Sequence, residues 1–161
     1  MHVGPRILSI ILLSLAGLSG CATFTVDEAY MFPSFGPGQL ESVLPDDYTV
    51  TEHELERADG THVYGISLVG SADAPDLLYL GGNHQSVDRA IEHVAENFLA
   101  VGRVNIHFFD RRGQGRSTGT GGVDHGMKDA MAIFDYVRER VDGPLIVHGL
   151  SLGGFEAAAV A

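Results

Sequence analysis

A serine hydroxyl becomes a nucleophile only when the backbone presents it and a base takes its proton. One stretch of this 161-residue chain is built for presentation: Leu145-Ile146-Val147-His148-Gly149-Leu150-Ser151-Leu152-Gly153-Gly154. A short apolar run meets Gly-x-Ser-x-Gly and leads into the small-residue segment Glu156 to Ala161. The pattern predicts strand, tight turn and helix, with Ser151 at the tip beside a helix N-terminus. The flanking glycines let the chain turn sharply and let strand and helix approach closely. The same spelling recurs at Gly115-Arg116-Ser117-Thr118-Gly119. Context separates the two. Ser117 follows a polar, Gly-rich loop and precedes more glycine, whereas Ser151 follows a strand and precedes a helix-compatible segment. Ser151 is therefore the nucleophile candidate.

Other residue types do not assemble a competing site. His53, His62, His93, His107 and His125 are scattered, without metal-ligand spacing such as H-E-x-x-H, so no metal is expected. Gly113-Gln114-Gly115 lacks the third glycine of a dinucleotide fingerprint, so no nucleotide cofactor is implied. His84 reads as a solvated loop residue, and His148 as a packing or hydrogen-bonding group beneath the turn. The net charge of −11, with no basic patch, repels phosphate backbones and argues against nucleic acid as a partner. Hydrophobic content of 45% and charged content of 19% are those of a globular chain. A single Cys excludes an internal disulfide.

The elements that must position Ser151 follow from hydrophobic patterning. Tyr48 to Arg57 and His62 to Val69 are alternating runs around Asp59-Gly60, which predicts a hairpin. Asp76 to Leu80 suits a buried parallel strand and ends in Gly81-Gly82-Asn83. Ser86 can cap a helix carrying Val87, Ile91, Val94, Ala95, Phe98 and Leu99, with Gly102 as its stop. Val104 to Phe109 is the next strand, followed by the loop Asp110 to Ser117. Met127, Ala130, Met131, Phe134, Val137 and Val141 mark a second amphipathic helix, stopped by Gly143-Pro144. Strands alternating with helices place the chain in the α/β class: an N-terminal hairpin plus a mostly parallel sheet flanked by helices.

Three ordered features carry a resemblance: the Gly-Gly-Asn turn, Asp110-Arg111-Arg112-Gly113-Gln114-Gly115-Arg116-Ser117, and the Gly-Leu-Ser-Leu-Gly elbow. From Tyr48 to Ala161 the chain resembles the N-terminal part of an α/β-hydrolase, in the monoglyceride-lipase-like and serine-aminopeptidase-like branches. The resemblance implies acyl-enzyme formation on Ser151, with the backbone N–H groups of Leu152 and Asn83 as the oxyanion hole. The turn has Gly81 where those relatives frequently have His. Asp110 is implied to be structural. The fold orders its triad Ser, acid, His, yet all eight histidines precede Ser151 and only Glu156 follows as an acid. The expectation is an incomplete hydrolase fold that ends just after the elbow, with the strand at 145–148 an edge rather than central. Such a fragment turns over little or nothing by itself. The expected substrate is a small-molecule, lipid or peptide ester, thioester or amide, and no cofactor is implied. The alternative is a non-catalytic envelope lipoprotein that uses the fold for binding.

The N-terminus carries an address. Ile7 to Leu18 is apolar but shorter than the roughly 20 residues a membrane span needs, which suits a secretory h-region. Leu18-Ser19-Gly20-Cys21 resembles a bacterial lipobox. It implies a signal peptide at 1–20, a lipid such as palmitate on Cys21, and a membrane-anchored protein of the cell envelope. Ala22 implies the outer membrane, facing the periplasm. Residues 21–47 hold Pro33, Pro37 and Pro45 and read as a tether, from which Tyr30, Phe32 and Phe35 can pack onto the body at 48–161.

Overall fold

Alternating residues on either side of Asp59-Gly60 fold into an antiparallel hairpin. Strands β1 (Thr49–Glu56) and β2 (His62–Val69) pair along their length, from Thr49 opposite Val69 to Glu56 opposite His62. Gly60 takes φ 76° in the turn, and the Asp59 carboxylate accepts the Thr61 N–H. Strands β3 (Asp76–Leu80), β4 (Asn105–Phe109) and β5 (Leu145–Gly149) follow. The computed structural model describes residues 27–39 and 46–161. The expected signal peptide, Cys21 and part of the tether lie outside the described residues.

The sheet order is β1-β2-β4-β3-β5, with β3 parallel to both β4 and β5 and β2 antiparallel to β4. The chain leaves β3 for β4 on one side, then passes back over β3 to β5 on the other. Right-handed crossovers running in opposite directions put their helices on opposite faces of a sheet. Helix α2 (Val87–Leu99, after a short α1 at Glu28–Met31) covers one face, with Val87, Ile91 and Val94 against Ile66, Leu77, Tyr79 and Phe108. Helix α3 (Val123–Arg138) covers the other, with Ile133 and Val137 against Leu55, Leu78, Leu80 and Phe109. Leu77 and Tyr79 face α2 while Leu78 and Leu80 face α3, which is the two-residue period of a strand buried on both faces. The winding reverses at β3, so the crevice of this topology lies beyond Leu80, where helix α4 (Leu152–Val160) also begins.

Three details differ from the sequence expectation. Ser86 occupies the N-cap of α2, but its hydroxyl makes no cap bond. The Asp110 Oδ1, at the end of β4, accepts the Val87 N–H at 2.6 Å instead. Helix α3 starts at Val123, a turn before Met127, because Glu28 Oε1 accepts the Val123 N–H at 2.6 Å. It ends at Arg138, whose guanidinium donates to the carbonyls of Val141 and Gly143 beyond the helix. Within the segment read as a tether, Phe32 is buried, and the Phe35 N–H donates to Gly113 O at 3.0 Å, whereas Tyr30 is exposed. Strand β5 pairs with β3 on one side and has no strand partner on the other among the described residues, as expected for an edge.

At the end of the sheet opposite the elbow, a chain of hydrogen bonds runs under α3. It links Tyr136 Oη to His53 Nδ1 (3.1 Å), His53 Nε2 to Ser67 Oγ (2.7 Å), Ser67 Oγ to His107 Nδ1 (2.6 Å) and His107 Nε2 to Asp76 Oδ1 (2.8 Å). Burial, followed by the charges of His107 and Arg140, lowers the His53 pKa below its ordinary 6.5. The unfolded chain therefore binds this proton more readily than the folded one. The stability that neutral His53 contributes is complete above about pH 6.5 and is lost as pH falls through the lower folded value. Relative to His53→Gln, the wild-type protein should lose stability in urea as pH falls from about 7.5 to about 5.5, and the difference between the two slopes isolates His53 from the buried Asp110 carboxyl, whose raised pKa acts in the opposite direction. An unchanged slope in the variant would contradict the assignment.

Candidate active site

Ser151 sits where β5 hands over to α4, with φ 53° and ψ −115°. Among the described residues it is the one non-glycine with positive φ. That conformation costs on the order of 1–3 kcal/mol and persists only where the surroundings enforce it. The enforcement is visible in two glycines. A Cβ on Gly153 would fall on the Leu80 carbonyl, and a Cβ on Gly149 would fall on the Gly153 carbonyl. Strand, helix and the end of β3 thus meet at backbone contact. The Leu150 N–H extends the ladder to Leu80 O at 2.9 Å. Ser151 is left exposed at the tip. Leu152 is the first residue of α4, so its N–H has no intrahelical acceptor and lies at the positive end of the helix dipole.

The loop after β3 lies against this turn. A Cβ built on Gly82 would be 3.9 Å from both Ser151 Cβ and Leu150 O. Gln85 shapes the loop from inside: its Oε1 accepts the Gly82 N–H at 2.7 Å and the Tyr79 hydroxyl at 3.0 Å. From outside, Arg111 donates to the carbonyls of Gly81 and Gly82, the latter at 2.7 Å, and Gln114 Nε2 donates to Asn83 O at 2.9 Å. Three consecutive carbonyls are therefore held by two side chains of the loop after β4. The Asn83 N–H has no acceptor among the described residues.

The segment from Asp110 to Ser117 is a brace. The Asp110 carboxylate is fully buried and accepts the N–H groups of Val87 (2.6 Å) and Arg116 (2.8 Å). Burial pushes this carboxyl up to about 6, against the pull of those two donors. Arg112 forks onto both oxygens of Asp129 on α3 and reaches Asp59 in the hairpin turn at 2.7 Å. Ser117 is buried, donates to Asp110 O and accepts the Tyr64 N–H, both at 2.9 Å. Its hydroxyl is spent on structure, which separates it from Ser151.

Sequence reasoning missed the pairing of Arg111 with Glu156. The Glu156 side chain is buried, and both its oxygens take hydrogen bonds from Arg111 at 2.7 Å. The signal was a pair of adjacent arginines, Arg111 and Arg112, at the start of the Asp110–Ser117 loop and an acid inside an otherwise apolar helix. His84 is exposed and stacks on Phe35, and His148 stacks on Tyr79 beside Phe98. Among the described residues no group of three or more His, Cys, Asp or Glu could hold a metal, and no helix is long and apolar enough to cross a membrane.

No family model matches the chain. The uncharacterized protein YfhR of Salmonella typhi is 33% identical over 104 residues, which are 60% of this chain and 35% of that protein. The lysophosphatidylserine lipase ABHD12 of Bos taurus is 37% identical over 86 residues, 52% of this chain and 21% of that protein. Among solved structures, the Pyrococcus furiosus esterase Pf2001 is similar with a TM-score of 0.57 at 19% identity, over 78% of this chain and 50% of that one. The matches span about a third of the first curated relative and about a fifth of the second. Together with the strand order and the turn at Ser151, these likenesses define the fold of the described residues as an α/β-hydrolase fold.

Proposed function

We propose that this chain supplies the nucleophile and oxyanion hole of a serine hydrolase acting on an ester, thioester or amide. Ser151 attacks the carbonyl carbon, the leaving group departs, and water releases the acyl group from the serine. The N–H groups of Leu152 and Asn83 hold the oxyanion of each tetrahedral intermediate. The observation that carries this reading is the strained, exposed Ser151 at a helix start, with the loop 81–83 packed against it. The fold's order of nucleophile, acid and histidine assigns the base to sequence that follows the elbow. Hydrolysis needs no cofactor in this scheme. The lipase activity named for the bovine relative agrees with a lipid acyl substrate.

A fluorophosphonate applied to the full chain as its gene encodes it should label Ser151. Ser151→Ala should abolish labelling and lower turnover by about 10^4-fold or more. Absence of labelling in the folded wild-type protein would sink the reading.

The protein is further proposed to be exported and anchored in the envelope by a lipid on Cys21, with its body on the periplasmic side of the outer membrane. Support comes from Leu18-Ser19-Gly20-Cys21 after an apolar run of h-region length. Cys21→Ser should abolish palmitate incorporation, and undiminished labelling would refute the anchor.

A further inference from the structure

Arg111 stands directly after Asp110 and before Arg112 in the loop that follows β4. Its side chain is only 10% exposed, and that of Glu156 5%. The guanidinium divides its donors with little left over. Nε and Nη2 fork onto the two Glu156 oxygens at 2.7 Å each, Nη1 donates to Gly82 O at 2.7 Å, and Nη2 also reaches Gly81 O.

The Gly82 carbonyl is one half of the Gly82–Asn83 peptide; the other half is the Asn83 N–H. In a planar trans peptide these two groups point in opposite directions. Fixing the oxygen fixes where the N–H points. A positive charge on that oxygen also draws electron density through the amide and makes the N–H a stronger donor. The other end of the guanidinium is tied to Glu156, one turn along α4 from Leu152. A single buried ion pair therefore ties the loop that carries one N–H to the helix that carries the other.

We propose that Arg111, backed by Glu156, is the positioning residue of the oxyanion hole: it aims and strengthens the Asn83 N–H and sets its distance from the Leu152 N–H. The inference rests on the hydrolase reading above. Lysine keeps the charge but has no planar fork, so it cannot span a carboxylate and two carbonyls in this geometry.

The test compares wild type, Arg111→Lys and the double variant Arg111→Met/Glu156→Leu in the full chain. Exchanging both partners of a buried pair for apolar groups of similar size usually preserves folding, so the double variant guards against a misfolded single one. Readouts are kcat and KM on an aryl ester, and the affinity of a trifluoromethyl ketone that forms a tetrahedral adduct with serine. Loss of one oriented oxyanion donor lowers kcat by about 10^2-fold, with KM little changed. Ketone affinity should fall by a similar factor in both variants. Folded variants that keep wild-type kcat and ketone affinity, whatever their melting temperature, would overturn the positioning role. No acylation of Ser151 in the wild-type protein would overturn the hydrolase reading and this inference with it.

Discussion

The backbone contact between Gly153 and the Leu80 carbonyl governs the rest of the site. Helix α4 has no side chain at that point, so it lies directly on the end of β3. That closeness forces the chain from β5 to turn within one residue, and Ser151 takes the positive φ the turn requires. It also brings the first N–H of the helix and the loop after β3 to the same side of the sheet end. The strand order puts this meeting point at the crevice where the winding reverses. In the proposed reading, nucleophile presentation and oxyanion binding are two consequences of this one packing constraint.

Such a site needs bracing, because a strained turn and a Gly-rich loop both relax when unsupported. The loop from Asp110 to Ser117 supplies the brace through buried charge rather than apolar bulk. Asp110 holds the start of α2, Arg112 ties α3 to the hairpin, and Arg111 and Gln114 hold the loop after β3. Each of these charges is buried with partners, so removing one partner strands another. Residues before the body join the same brace: Gln114 also donates to Pro33 O, and Phe35 pairs with Gly113.

Much of this was legible in the sequence, for a physical reason. Period-two and helical patterns record burial, so the hairpin at Asp59-Gly60, the three parallel strands and both crossover helices could be read locally. The choice of Ser151 over Ser117 rested on what flanks each serine; in the structure Ser117 is buried and doubly bonded, and Ser151 is exposed. What escaped was contact between residues distant in sequence. Ser86 has the residue type of a cap, but Asp110 reaches Val87 across the turn of the fold. Helix α3 begins early because Glu28 comes to its N-terminus from far upstream. The Arg111–Glu156 pair leaves no periodic trace, since a buried ion pair between the loop after β4 and helix α4 is specified only once the sheet is assembled.

A crystal structure of the full-length protein with a phosphonate attached to Ser151 measures the geometry of this site directly. The phosphoryl oxygen should stand about 3 Å from both the Asn83 and the Leu152 nitrogens, with Arg111 still on the Gly82 carbonyl. A phosphoryl oxygen turned away from either N–H, or an adduct on Ser117 in place of Ser151, would contradict it.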